Sequence, residues 1–425
     1  MINDNGECVG TTDGSFIFDP GSPGIAQAER DIAAENARVQ HEAYVTVALL
    51  APLTWSPQSA VSLERIRNEL EGAYVAQHAA NFIQDISPKI RLVLANEGSL
   101  EQAAPQITGQ LKALTAAPDR LVAVIGMGIS VNATLTAAGA FSAANIPMVG
   151  SVDTGDTLDW THVTGLARVA VTSNEEAVRT AAYLKAHGGL GTDFMVTDTD
   201  KNDLYTSGIR TDFQTAFGTH ISAQEPYGPG PDIGNEFALI ADDVCGIPGP
   251  PPTVIYAGRE VVLPTFIQQL EGAPTCNGRH LTVVTGSDAE GLDPRSTIAQ
   301  PGKSQQPNPA QVSVVYPGLA NPGDITQQFR TLFTASFGTT GIDDPWMIET
   351  NNAMAAAARA IALATGDSST SPLPKAVLDA IPLLNRQHMV QGATGPFAIG
   401  SDGNLMNPDI PIFEIAAGNR QLLSP

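Results

Sequence analysis

The sequence predicts an α/β protein built from parallel sheets in two successive series. Three observations carry that reading: short, wholly apolar runs of strand length, apolar residues at steps of three and four between them, and a second round of the same alternation after residue 168. A continuous apolar run marks a strand buried on both faces, and parallel neighbours need crossover connections, which the intervening helices supply.

The pattern opens with Gly/Pro/Asp-rich coil and a helix over Ile25–Ala43, which reads as a leader packed on the outside of the fold. Tyr44–Leu50 is the first strand, and Ile66, Leu70 and Ala73 continue as a helix to Ala80. Ile90–Leu94 and Leu121–Ile125 follow as strands, separated by a helix with apolar positions at Ala104, Ile107, Leu111 and Leu114. The next helix begins near Asn132, a residue type suited to cap it, and Ile146–Gly150 is the fourth strand. In the second series Glu175–His187, Tyr205–Phe217 and Val262–Leu270 are helices, while Asp193–Thr197, Thr253–Ala257 and His280–Thr285 are strands. Pro/Gly-dense inserts at 227–234, 246–252 and 299–309 read as surface loops. A long helix over Glu349–Thr365 precedes hairpin signals at 390–397 and a turn at Asp402-Gly403, so the tail is expected to add antiparallel strands to a sheet edge.

The chain has 425 residues, enough for two or three domains, with 22 basic against 44 acidic side chains and a formal charge of −22. That balance repels phosphate backbones and anionic lipid and argues against nucleic-acid and membrane-surface partners. Charged residues are only 16% of the chain and hydrophobic ones 43%, which excludes a disordered acidic tail. No apolar run has the length of a membrane span, and Met1–Asn5 lacks the features of a signal peptide, so the chain is expected to be soluble, whether or not it is the whole gene product. Cys8, Cys245 and Cys276 show no zinc-ligand spacing. Cys245 and Cys276 are suited either to a disulfide worth roughly 3–4 kcal/mol in an oxidising compartment or to two buried thiols, with Cys8 left over.

Motifs for cofactor chemistry are absent. Gly126-Met127-Gly128 lacks the third glycine of a dinucleotide fingerprint, because Val131 stands there. There is no phosphate loop, zinc-protease motif or nucleophile elbow, and the seven histidines are scattered. What remains is polar residues at strand ends, where open α/β sheets take ligands: Ser130 after Leu121–Ile125 and Thr154 after Ile146–Val149, each also suited to a helix cap.

Over residues 44–420 the order of short motifs resembles the type I periplasmic binding proteins, in particular the Leu/Ile/Val-type extracellular ligand-binding receptors. The resemblance rests on Glu71-Gly72-Ala73, Ile125-Gly126 with the Ser130 loop, Ile146-Pro147-Met148-Val149, Tyr205-Thr206-Ser207-Gly208-Ile209, Tyr256-Ala257-Gly258-Arg259, Gly286-Ser287-Asp288 and Gly392-Ala393-Thr394-Gly395. It implies two doubly wound α/β lobes joined by three crossover strands, with a small molecule clamped between them. Carried onto this chain, residues 1–43 form an N-terminal extension with a helix, 44–168 plus 318–388 form lobe one, and 169–317 plus 389–425 form lobe two. The crossings then fall near Arg168, Pro317 and Met389. The family's carboxylate-binding groups map onto Ser130, Val152 and Thr154, and its ammonium-binding and aromatic groups onto Ser173, Tyr205, Arg259 and Asp288, with Trp55 at the rim. Ser173 stands where amino-acid binders place an aspartate and Arg259 where an aromatic is common, a departure that points to a second anionic group on the ligand or to a ligand lacking an amine.

The expected function is an extracellular or cell-surface binding protein, non-enzymatic and without cofactor or metal, that closes two lobes on an amino-acid-like molecule or small carboxylate. It would serve an ABC-type membrane permease or form the sensor ectodomain of a membrane receptor. Two alternatives stand beside it: an enzyme on the same scaffold, for which Asp198 and Asp200 are spaced like a metal-binding pair, and a protein-interaction domain with a degenerate cleft.

Overall fold

The computed structural model describes residues 2–4, 6–228, 230–249, 252–298, 308–366 and 371–424. Its strands, in chain order, are β1 (Ile2–Asp4), β2 (Glu7–Thr12), β3 (Tyr44–Ala51), β4 (Lys89–Asn96), β5 (Leu121–Gly126), β6 (Met148–Gly150), β7 (Leu166–Arg168), β8 (Asp193–Asp198), β9 (Ile221–Tyr227), β10 (Thr253–Ala257), β11 (His280–Val284), β12 (Gln311–Pro317), β13 (Val390–Gly392), β14 (Gly395–Phe397), β15 (Ile412–Ala416) and β16 (Asn419–Ser424). The chain divides into two compact units, Met1–Val171 with Ala320–Pro408, and Thr172–Leu319 with Asp409–Pro425. Residues 389–408, placed above in lobe two, thus group with the first unit, because β13 and β14 form their own hairpin and β13 packs on the helix Pro345–Thr365. The antiparallel strands expected from the tail are β15 and β16, beyond that hairpin.

The first unit's sheet runs β1-β2-β4-β3-β5-β6-β7, parallel from β4 to β7. The N-terminal segment is not an external leader: β2 enters the sheet antiparallel to β4, pairing Gly10 with Asn96 and Thr12 with Leu94. Its sequence, Glu-Cys-Val-Gly-Thr-Thr, has too few apolar residues to announce a strand, yet it pairs with β4 on one side and with the short β1 on the other. Helix Pro23–Val39 lays Ile25, Ile32 and Val39 inward and packs on helix Leu63–His78. Helix Leu63–His78 packs so closely on Pro345–Thr365 that a side chain at Gly72 would meet the Met347 carbonyl at 2.3 Å, so only glycine fits there. Pro345–Thr365 starts four residues earlier than expected because Asp344 accepts the N–H groups of Trp346 and Met347 and Pro345 occupies the first turn. Asn132 does not cap its helix; it is the first helical residue, and Val131 holds the cap position.

The second unit's sheet runs β16-β15-β12-β11-β10-β8-β9, parallel from β12 to β9 and antiparallel at β15 and β16. Adjacent strand residues serve opposite cores. Val196, Val254, Val283 and Val314 pack with Phe237 and Phe266 on one face, while Met195, Ile255, Val284 and Val315 pack with Ile209 and Phe213 on the other. That division is why these strands read as unbroken apolar runs. Helix Ile233–Gly246, read as loop at its start, presents Phe237, Ile240, Ala241 and Val244 inward at helical spacing. Of the insert at 299–309, residues 299–307 lie outside the described residues.

Cys245 and Cys276 form a disulfide, which ties helix Ile233–Gly246 to the turn after helix Leu263–Gly272 across a 31-residue separation. Loop-closure entropy for that span is about 3–4 kcal/mol. Cys276→Ser is expected to lower the thermal midpoint, and dithiothreitol to lower that of the wild type but not of the variant; a wild-type midpoint indifferent to reductant contradicts this.

Several glutamates are buried with little compensation. Burial pushes Glu349 and Glu69 up to about 8 and Glu71 and Glu29 up to about 7. Folded-state values above the unfolded 4.5 mean that the native chain binds more protons, so stability falls as pH rises through these values. The thermal midpoint is expected to be highest near pH 5 and to decline steadily towards pH 9; calorimetry showing a midpoint that climbs between pH 5 and 8 contradicts it.

Candidate functional site

Both parallel sheets have the same order around their first strand: β4-β3-β5 in the first unit and β9-β8-β10 in the second. The chain leaves on opposite sides at β3 and β5, and again at β8 and β10, so the loops at the carboxyl ends part there. Open α/β sheets take ligands at such switch points.

In the first unit Gly126, which ends β5, and Met127 and Gly128 of the loop after it are all at positive φ. A side chain at Gly126 would lie 2.7 Å from the Leu50 carbonyl; at Gly128 it would lie 2.5 Å from Glu101 Oε1 and 2.6 Å from Glu97 Oε1. These glycines serve the turn, and the two carboxyl groups against Gly128 are the opposite of a phosphate cradle. Glu101 accepts the Ile129 N–H at 2.7 Å and the Thr134 hydroxyl at 2.9 Å, which fixes the loop that presents Ser130. Ser130 Oγ in turn accepts the Gly155 N–H at 3.1 Å, joining this loop to the one after β6 that holds Val152 and Thr154. Arg168, fully buried at the end of β7, locks that second loop by donating to the carbonyls of Asp153 (3.1 Å) and Gly155 (2.7 Å) and to Asn404 Oδ1 (2.7 Å). Ser130, Val152 and Thr154 are therefore neighbours on two linked, buried loops.

Acids dominate this surface. Glu97 is buried, and neither of its carboxylate oxygens has a hydrogen-bond partner among the described residues. Burial, then the nearby Glu101, Asp153 and Glu69, raise its pKa well above the ordinary carboxylate value and favour the protonated acid. Trp55 lies on the loop after β3, 46% exposed, a large fraction for a tryptophan.

In the second unit the switch point is spanned by an ion pair. Arg259, after β10, donates from Nε to Asp203 Oδ2 (2.6 Å) and from Nη2 to Asp203 Oδ1 (3.0 Å), and its Nη1 lies 4.0 Å from Asp288 Oδ1. The guanidinium also stacks over the Tyr205 ring, 4.7 Å from its centroid. Burial works against the charge, but Asp203 and Asp288 outweigh it and hold the pKa of Arg259 above its ordinary value. Asp203 also caps helix Leu204–Phe217 through the Thr206 N–H, so one carboxylate positions both Tyr205 and Arg259. Asp288 accepts the Glu260 N–H at 2.7 Å, and its own N–H donates to the Tyr205 hydroxyl at 3.4 Å. Close contacts explain the glycines: a side chain at Gly286 would meet Tyr205 Oη at 2.2 Å, and one at Gly258 would meet Tyr227 Oη at 1.9 Å.

Tyr205, Arg259 and Asp288 therefore converge as expected of one cluster, whereas Ser173 is fully buried in the first turn of helix Ser173–Ala186, behind the Thr172–Glu175 capping box. Arg259 is not an isolated cation. Asp203, Glu97, Glu101 and Arg168 also belong to these two clusters, though the reading of the sequence did not assign them; the signal for Asp203 was its N-cap position ahead of a helical run, and for Glu97 a charge directly after a buried strand. Asp198 and Asp200 are turn formers, accepting the N–H groups of Asp200 and Asn202 at 2.8 Å each.

No family model matches the chain, and no curated protein matches it. Solved structures do. An ABC transporter substrate-binding protein from Desulfitobacterium hafniense, in complex with Leu, matches with TM-score 0.67 at 15% identity over 89% of this chain and 100% of that one. A leucine-binding protein from Thermotoga maritima matches with TM-score 0.66 at 15% identity, covering 89% and 98%. A solute-binding protein from R. palustris in complex with benzoate matches with TM-score 0.64 at 14% identity, covering 90% and 96%. Two doubly wound α/β units, with polar clusters at the carboxyl ends of both sheets and a common architecture with these structures, give the chain the fold of the type I periplasmic binding proteins.

Proposed function

We propose that the chain is a non-enzymatic solute-binding protein, working outside the cytoplasm, whose two strand-end surfaces close on an amino-acid-like ligand. The carrying observation is the bidentate Arg259–Asp203 pair with Asp288 beside it: two carboxylates face one guanidinium, so this surface is acidic overall and suits an ammonium group. The hydroxyls and backbone of Ser130, Val152 and Thr154, next to the start of helix Asn132–Ala143, suit the carboxylate. The raised pKa of Glu97 and Glu69 supports the same assignment, since protonated acids do not repel an anion. Delivery to a membrane permease or service as a sensor ectodomain both use such closure, which only differential contacts in the closed state can favour. The Cys245–Cys276 disulfide supports an oxidising location.

Thermal-shift and calorimetric titrations with leucine, other α-amino acids, benzoate and dicarboxylates test this. An α-amino acid at a hundred times its dissociation constant is expected to add about 2.7 kcal/mol of stability. Asp288→Ala should weaken its binding at least tenfold while leaving the unliganded midpoint within a few degrees; tighter binding of benzoate than of any amino acid would overturn the ammonium assignment. Asp203→Asn, by releasing Arg259 from its bidentate partner, should shift preference towards dicarboxylates. Affinity for the carboxylate ligand is expected to fall as pH rises past about 8, where Glu69 loses its proton, and a flat profile from pH 6 to 9 argues against an anion at the first unit's loops.

A further inference from the structure

The N-terminal strand does more than extend the first sheet. Glu7 opens β2, and because β2 runs antiparallel to β4 from Thr12–Leu94 to Gly10–Asn96, Glu7 lies beyond the carboxyl end of β4, among the loops after β3 and β4. Its Oε1 accepts the Ser99 hydroxyl at 2.6 Å, and its Oε2 accepts the Ser99 N–H at 2.8 Å and the Thr54 hydroxyl. Asn96 completes the join: its Nδ2 donates to the Cys8 carbonyl at 2.8 Å and to Thr54 Oγ1 at 3.2 Å, while its Oδ1 accepts the N–H groups of Leu53 and Gly98.

From Ser99 the network passes on into the loop after β3. The hydroxyls of Ser99 and Ser56 are 3.0 Å apart, Ser59 Oγ donates to the Ser99 carbonyl at 3.1 Å, and the Ser56 N–H donates to Ser59 Oγ at 3.2 Å. Thr54 and Ser56 are both held, so the backbone of Trp55 is fixed on either side while its ring stays 46% exposed. An aromatic ring presented to solvent from a rigid base loses little conformational entropy when a ligand covers it.

We propose that Glu7 is a positioning residue: the N-terminal strand acts as an intramolecular clip whose carboxylate sets the loops after β3 and β4, Trp55 included. Calling these ligand loops rests on the binding function proposed above; the clip itself does not. It assigns the N-terminal extension a role at the site rather than at the sheet edge alone. A carboxylate is suited to the task because it accepts three hydrogen bonds with no donor of its own to satisfy.

The test uses the full chain labelled with 5-fluorotryptophan, whose three residues, Trp55, Trp160 and Trp346, give one fluorine resonance each, with Trp55→Phe assigning the first. In Glu7→Ala the Trp55 resonance should shift and broaden while those of Trp160 and Trp346 stay in place. Amide exchange in peptides covering 52–62 and 97–103 should quicken at least tenfold. Glu7→Gln, which keeps one acceptor oxygen, should fall between the wild type and Glu7→Ala. An unchanged Trp55 resonance with unchanged exchange in both loops overturns the proposal, as does a common change of all three resonances, which marks general loosening. No ligand is needed, so a chain that binds no small molecule yet shows this coupling keeps the clip and loses only the ligand role of its loops.

Discussion

The parallel strands of both sheets are covered on their two faces, and that constraint leaves little room for chemistry elsewhere. Where Val254 and Ile255 or Val283 and Val284 point into opposite cores, both faces of the strand are given to packing. Polar groups are displaced to the carboxyl ends, and the switch in strand order opens those ends at one place in each unit. The loops there must then be held by something other than the sheet. In the first unit Arg168 and Glu101 supply that hold, and in the second Asp203 does.

These three residues share a physical logic. Each is a charged side chain, largely buried, that spends its hydrogen bonds on backbone, on neutral polar side chains or on an opposite charge within its own unit. A buried charge is tolerated only when paired or fully hydrogen-bonded, so such a residue constrains its surroundings strongly. Arg168 fixes two carbonyls of the loop carrying Val152 and Thr154, and Asp203 fixes a helix start and a guanidinium at once. The groups proposed to meet a ligand are thus set in place before any ligand arrives, which lowers the ordering cost of binding.

The two sheets were legible in the sequence because a strand buried on both faces is apolar throughout, and Tyr44–Leu50 or Leu121–Ile125 admits few other readings. Elements with one wet face were not. β9 alternates half-buried and exposed residues along an edge and carries Pro226, while β2 has too few apolar residues to stand out, and both went unassigned. At the site, Ser130 could be placed from local order, since it comes shortly after an apolar strand, whereas Asp288 came only from the resemblance carried by Gly286-Ser287-Asp288. The partner of Arg259 could not, because Asp203 lies 56 residues earlier and meets it only through the β8–β10 pairing. A lone arginine therefore read as an available cation, when the fold supplies its counter-charge.

The same reasoning bears on the net charge. A formal −22 counts every acidic side chain as ionised. Glu69 and Glu349 near 8, Glu71 and Glu29 near 7, and Glu97, raised well above its ordinary value, hold part of that charge as protons at neutral pH. Glu69 and Glu97 lie in the first unit's acidic cluster, where ionised groups would most oppose an incoming carboxylate. The folded chain is less negative than its composition states, and the relief includes the loops proposed to receive an anion. In the second unit two carboxyl groups, Asp203 and Asp288, stand against the one guanidinium of Arg259, so the two clusters differ in composition although the chain as a whole is strongly acidic. For the binding function proposed above, what matters is which carboxyl groups keep their protons and which find a guanidinium, and the total says little about either.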